Sequence, residues 1–351
     1  MSGRDRPDGA RPSGLQAWVG HFLRVREAGL LLTLIILGLL ITLREPRFLL
    51  ATNLEQVALS ATLVGIVALG QALVIITRQI DLSVGAIVAV SAFVVADWLE
   101  DHAQTSILVI LAMGCAVGTG LGAINAVLVA WLRIPAIVAT LGTLAVFRGA
   151  VMVLAGGRQI SATILPASYQ EIARVDLAGI PLLVWVALLL TAFFGWATRH
   201  TRTGRNLYAL GSSPESARYV GIDEARHVVL VFLVSGFLCG FVGVLWGARF
   251  GTVDAVIAGD LHLQSISAVV VGGVSIFGGS GSVYGAAIGA VIFAVIQNGV
   301  QLLGLNQFWL EAAIGAAILA TVVFYSLLTR RTELAQRASR RPGSLKAAAG
   351  G

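Results

Sequence analysis

The chain has 351 residues, 57% of them apolar and only 12% charged, with a formal net charge of +6. Soluble domains carry about 25% charged residues, so this composition excludes a soluble globular protein. The positive charge is gathered at a few segment ends, which makes it a topology signal and not a nucleic-acid footprint.

Residues 1–27 are polar and rich in Arg, Gly and Pro, as expected of a cytoplasmic arm. The apolar run from Ala28 to Leu43 reads as a retained first helix, because no small-residue cleavage site precedes Arg44-Glu45-Pro46. Runs long enough to cross a hydrocarbon core of about 30 Å then recur. They place further spans at 56–77, 82–99, 105–132, 134–156, 179–198, 228–249, 263–278, 282–304 and 308–328. The expected fold is an all-α polytopic membrane protein with about ten transmembrane helices. Its transmembrane body covers 28–328, with the cytoplasmic segment 199–227 inside it, and a basic tail covers 329–351.

Orientation follows from the arginines. Arg4, Arg6, Arg11, Arg24 and Arg26 lie in the arm, and Arg199, Arg202, Arg205, Arg218 and Arg226 lie in segment 199–227. The tail holds Arg330, Arg331, Arg337, Arg340, Arg341 and Lys346. Positive segments stay inside, so both termini and 199–227 are expected to be cytoplasmic, a placement that ten spans satisfy. Arg44 and Arg47 are the exceptions, with Glu45 and Glu55 nearby.

Catalytic chemistry has no carrier. A P-loop needs lysine followed by Ser or Thr, and the single lysine, Lys346, precedes Ala347. The five histidines make no HExxH pair, Cys115 and Cys239 sit inside apolar runs, and no catalytic residue, metal site or cofactor is expected. Gly114, Gly118 and Gly122, and likewise Gly285 and Gly289, have the small-xxx-small spacing of close helix crossings.

Segment 199–227 holds a complete short helix signal. Ser213 is a good N-cap, Pro214 suits the first helical position, Glu215 complements the dipole and Gly221 supplies a left-handed stop. This predicts a two-turn cytoplasmic helix with Tyr219 and Val220 available to dock; the plain alternative is a basic loop at the lipid headgroups.

Several motifs occur together in order: Ile80–Gly85 (Ile-Asp-Leu-Ser-Val-Gly), Asn125–Thr143, Arg148-Gly149 with Gly156-Gly157, Gly204–Ile222, and Gly272-Gly273 through Ser282. With them the chain resembles the membrane-spanning permease subunits of bacterial ATP-binding cassette (ABC) importers for monosaccharides, the ribose, xylose, rhamnose and autoinducer-2 permeases. The stretch Leu128–Thr140 is most similar to the rhamnose and autoinducer-2 members. Thr77-Arg78-Gln79 departs from the Gly-Gly that many members carry before Ile-Asp-Leu-Ser. The resemblance implies an inner-membrane subunit that forms a pore with a second permease copy or paralogue, docks a separate ATPase, and receives a small sugar from a periplasmic binding protein. It makes Gly204, Arg205, Gly211, Pro214, Glu215, Arg218, Tyr219 and Gly221 the coupling residues.

Translocation or gating residues are expected among the polar groups within or beside spans: Asp81, Ser83, Asn125, Thr140, Arg148, Gln297 and Asn298. Each has a plainer role. Asp81 suits a cap for the helix after it, with Ser83 assisting, or an ion pair with Arg78. Arg148 suits pairing with a carbonyl or acid. The amides and hydroxyls, including Gln71, Thr143 and Gln264, suit interhelical hydrogen bonds. Two rival functions remain at this stage. An ion-coupled transporter would place several acids at mid-span, whereas Asp81 and Glu311 fall near span ends. A branched-chain amino-acid ABC permease has related topology, but the Ile-Asp-Leu-Ser-Val-Gly motif argues against it.

Overall fold

The computed structural model describes residues 26–306, with Trp309, Ala312 and Gly315 beyond them. Residues 1–25 of the arm, the tenth expected span apart from those three residues, and the tail lie outside the described residues.

Twelve helices follow one another among the described residues. They are α1 Arg26–Arg44, α2 Ala51–Ile76, α3 Val84–Asp101, α4 Ile107–Ala126, α5 Ala136–Ala155, α6 Ala167–Glu171, α7 Leu182–His200, α8 Arg202–Ser212, α9 Pro214–Tyr219, α10 Glu224–Phe250, α11 Leu261–Val271 and α12 Val283–Leu302. A 3-10 turn, Pro46–Leu49, links α1 to α2, and a π-helical turn, Val127–Trp131, extends α4. The only strands among the described residues are β1 (Asp176–Leu177) and β2 (Ile180–Pro181), an antiparallel pair with Asp176 opposite Pro181.

Among the described residues, seven helices (α1, α2, α4 with its π turn, α5, α7, α10 and α12) are long and apolar enough to cross a membrane. Nine expected spans each coincide with a helix, but two of the nine differ in kind. Helix α3 carries Asp97, Glu100 and Asp101 in its last two turns. Helix α11 has 11 residues, about 16 Å at 1.5 Å per residue, roughly half a hydrocarbon core. Its stop is local: Gly272 caps it and Gly273 follows at φ 85°, donating to Val270, while Val274 donates to Val269.

Helices α2, α3 and α10 form the buried centre. Leu63 through Ile76 of α2, Val84 through Phe93 of α3, and Phe232, Leu238, Val242 and Leu245 of α10 are buried together. Helix α4 crosses α10 glycine to glycine: a Cβ on Gly118 or Gly122 would strike the backbone of Gly236, and one on Gly114 would reach Gly240. Gly285 and Gly289 lie in the same way against Gly272 and Ala268 of α11. Without hydrophobic drive between helices in lipid, such close approach supplies the van der Waals contact that holds them together.

The bundle has two distinct ends. At the first, Ile76 accepts from Gly279 N at 2.9 Å and Arg78 Nη2 donates to Ser212 O at 2.8 Å, joining α2, α8 and the α11–α12 turn. At the opposite end Ile160 bridges Val253, Tyr169 Oη donates to Val244 O at 2.6 Å, and Arg158 meets Asp97 and Glu100.

Candidate functional site

The chain unwinds between α2 and α3. Helix α2 stops with Thr77 as its cap and Arg78 at φ 65°; Arg78 N donates to Ile75 and Gln79 N to Val74. That is the paired-bond stop usually given to glycine. Residues 79–83 then turn back into the bundle. Non-helical backbone at such depth persists only where protein groups satisfy it, and here Thr140 of α5 and the Asp81 side chain do so, with Asn125 of α4 bonded to the Ser83 hydroxyl.

Asp81, Ser83, Asn125 and Thr140 are all fully buried and Thr143 nearly so. Asp81 Oδ1 accepts from Ser83 N at 2.9 Å and from Ser83 Oγ at 2.7 Å. Asn125 Nδ2 donates to Ser83 Oγ at 2.7 Å, and Thr143 Oγ1 donates to Asn125 Oδ1 at 2.6 Å. Thr140 Oγ1 takes the Leu82 N–H at 3.1 Å and faces the Ile80 carbonyl at 3.1 Å. Four residues expected at a pathway or gate thus meet in one buried network whose evident task is to hold residues 80–83.

Two expectations for Asp81 are corrected. Ser83, not Asp81, is the N-cap residue of α3, and Asp81 bonds only within its own turn. It does not pair with Arg78, which is exposed and bonds Ser212. Asp81 Oδ2 has no hydrogen-bond partner among the described residues and lies toward Ser235 of α10, whose hydroxyl is likewise unpaired. Both polar atoms of Gln71 are also buried without a partner.

A second unwound stretch, 251–260, lies between α10 and α11. Arg148 of α5 clamps it, donating from Nη1 to Ala255 O and Ile257 O, both at 2.9 Å. The carbonyl pairing expected for Arg148 is the one found. Asn298 forms a reciprocal amide pair with Asn53 (2.8 and 3.1 Å) that ties α12 to the first turn of α2. Gln297 points to another face, half-buried, with no side-chain hydrogen bond among the described residues.

At the first end α8 and α9 form a bracket. Thr201 Oγ1 caps α8 through Gly204 N at 3.0 Å. Gly204 is buried against Ala197 and Thr198, and Gly211 against Ile76 and Gly279, so both glycines seat the bracket on the bundle. Ser213 Oγ accepts from Ser216 N at 3.2 Å at the start of α9, and Pro214 occupies its first position. Gly221, at φ 79°, donates to Arg218 O, and Ile222 donates to Ala217 O. Helix α9 therefore carries both caps read from its sequence, although it ends at Tyr219. Arg205, Glu215, Arg218, Tyr219 and Gly221 are exposed, Tyr219 to 83% and Val220 to 75%. Arg218 donates to Glu224 from Nε at 3.0 Å, and this bond and the Glu224 charge raise its guanidinium above the ordinary value. Beside α9 opens a pocket of about 700 Å³, lined by Gln79, Arg133, Pro135, Arg218, Ile222 and Glu224 among others. One wall is Arg218 of α9 with residues 221–228 that lead into α10, and the other is the end of the π turn with residues 133–135, beside Gln79 at the start of the unwound segment. Sequence reasoning missed this adjacency, along with the 251–260 stretch, whose only visible signal was its acidic residues.

Residues 53–328 match the family described as "Branched-chain amino acid transport system / permease component". Curated relatives include the autoinducer 2 import system permease protein LsrC of Escherichia coli (strain K12 / DH10B), 34% identical over 265 residues, covering 76% of each chain. The Salmonella typhi protein of the same name is 34% identical over 76% of this chain and 75% of its own. That of Enterobacter sp. (strain 638) is 35% identical over 269 residues, 76% of this chain and 77% of its own. No solved structure matches.

Proposed function

The chain belongs to the ABC-importer family described as branched-chain amino acid transport system / permease component, and from that premise we propose how it works and what it carries. It is a multi-pass membrane permease and is not itself catalytic. We assign it a small polyol substrate, of the autoinducer-2 or monosaccharide kind, on the strength of its LsrC relatives and the Ile80–Gly85 motif. The ATPase docks at the first end of the bundle, which is cytoplasmic because Arg199, Arg202, Arg205, Arg218 and Arg226 lie there. On this reading ten spans cross the membrane, both termini are cytoplasmic, a periplasmic binding protein meets the opposite end, and a second permease copy or paralogue completes the pore. The body is 28–328, between the arm at 1–27 and the tail at 329–351.

The observation that carries the docking reading is α9. A six-residue helix stopped at both ends, with a tyrosine and a valine turned to solvent, is built to enter a partner groove. Its base is seated through Gly204 and Gly211, so a push on Tyr219 is delivered to the end of α2 and, across the shared pocket, to Gln79 and the network behind it. Asp81, Ser83, Asn125 and Thr140 then act in gating, as the hinge of an unwound helix, while Arg148 fixes the second unwound stretch and Gln297 and Asn298 stand toward the opposite end.

Purification of tagged protein from native membranes tests this. Recovery of a P-loop ATPase with wild type, and its loss with Arg218→Glu or Tyr219→Ala at equal membrane abundance, is the expected result. Retention of the ATPase by both variants would displace the docking site from α9.

A further inference from the structure

Beyond Val253 the chain leaves the opposite end of the bundle and turns inward. The Ala258 carbonyl lies against Gly85, and Leu261 packs on the same glycine. Two counts give the depth reached. Helix α11 descends from Leu261 to Gly272, which packs on Gly285 at the start of α12, so its first residue lies about 16 Å above that end. Ser83, two residues before Gly85, bonds Asn125, which stands six residues, about 9 Å, from the end of the π turn at Trp131. Both counts put residues 258–261 near the middle of a core about 30 Å thick.

Asp260 is exposed at that level, and its carboxylate forms no hydrogen bond or ion pair among the described residues. A carboxylate at mid-depth faces water or protein and not lipid. Its surroundings have the chemistry of a site. His262, half-buried, lies within the field of Asp260 and Arg148. Asp254 is spent on Val256 N at 2.8 Å, and Arg148 is spent on two carbonyls. Val256 and Leu263, four residues before Asp260 and three after, are exposed as well. One arginine against two aspartates leaves the group net negative.

We propose that Asp260, with His262 beside it, contacts substrate in the translocation path. The carboxylate accepts hydrogen bonds from the hydroxyls of a neutral polyol, the imidazole adds a second polar contact, and the local negative charge turns away phosphorylated sugars. The proposal rests on the transport reading above and deepens it.

Thiol labelling of the assembled importer in membranes tests the location without knowledge of the substrate. With Cys115 and Cys239 replaced by serine, Asp260→Cys should react with a water-soluble cationic methanethiosulfonate at least tenfold faster than Leu189→Cys, which is exposed on α7. Equal inertness of the two would overturn the proposal. Uptake of radiolabelled ribose and autoinducer-2 should fall at least tenfold in Asp260→Asn at equal membrane abundance, and unchanged uptake would also overturn it. If wild type takes up neither compound, the substrate reading fails, while the labelling still decides whether Asp260 lines the water path.

Discussion

Asn125 and Ser83 are 42 positions apart, yet the Asn125 amide donates to the Ser83 hydroxyl at 2.7 Å with both side chains wholly buried. The bond spans from an intact helix, α4, to a stretch where the chain has left helical geometry. It is the middle of a relay: Thr143 donates to Asn125, Asn125 to Ser83, and Ser83 to Asp81. Because the relay ends on a carboxylate acceptor, its protons all point toward Asp81 and it has a single direction. Such a network rigidifies when complete and is costly when broken, because a low-dielectric interior offers no substitute partner.

Asn125→Ala should therefore destabilise the protein by about 1–3 kcal/mol, the cost of leaving buried partners unsatisfied. The measurement is the thermal midpoint of the detergent-solubilised protein. Asn125→Asp keeps an acceptor for Thr143 but adds a second acid beside Asp81, and should be worse than alanine. A wild-type midpoint for the alanine variant would mean that the relay does not hold residues 80–83.

Arg78 yields a comparison within one position. It sits at φ 65° after α2, where a side chain is strained by roughly 1–2 kcal/mol, and it also donates to Ser212. Alanine and glycine both remove that bond, but only glycine removes the strain. Arg78→Gly should thus melt above Arg78→Ala, the reverse of their usual order within a helix. Equal midpoints would argue that the turn relaxes to accept a Cβ.

What can be read in the chain, and what cannot, divides by range. Ser213, Pro214 and Gly221 act on neighbours within four residues, so the caps of α9 are legible in the residues alone. The seven long apolar helices are legible as well, since each is an apolar run of sufficient length. Asp81 is not, because an acid between two apolar runs looks like a surface cap until residues 79–83 are seen to fold back inside. The shortness of α11 depends on Gly272-Gly273 acting as a stop, although Gly272 is at the same time a close-packing glycine against Gly285. Asn298 reads from the sequence as pathway lining, and its tie to Asn53, 245 positions away, has no local signal. The pair β1–β2 has none either, each strand being two residues long.

Gly85, in the first turn of α3, lies where the first unwound stretch passes into the helix and the second packs against it, and a Cβ there would strike the Ala258 carbonyl. Backbone cannot yield as the end of a flexible side chain can, so Gly85→Ala must part the two stretches. Gly85→Ala should lower the yield of monodisperse protein and speed amide exchange across 254–260, and Gly85→Val should do both more strongly. Gly120→Ala is the control, since nothing lies within 4 Å of a Cβ at that position. Unaltered exchange at 254–260 in Gly85→Ala would show that the stretches are not held by that contact.

The docking surface makes the opposite demand, a change that alters partnership and leaves the fold intact. Tyr219 and Val220 touch little of their own chain, and α9 is held by Ser213, Pro214 and Gly221. Tyr219→Ala with Val220→Ala should leave the thermal midpoint of the isolated permease unchanged, because both side chains are exposed and the cap at Val220 is made by its backbone N–H. ATPase recovery should nevertheless fall at least tenfold, and ATP-driven uptake should fall with it. Ser213→Ala should behave differently: losing a cap costs about 1 kcal/mol and frays α9, so it should weaken ATPase recovery together with helix protection. Hydrogen exchange over 214–219 separates the two causes. If the double variant binds the ATPase as wild type does while the Ser213 variant does not, the backbone of α9 and not its exposed side chains makes the contact.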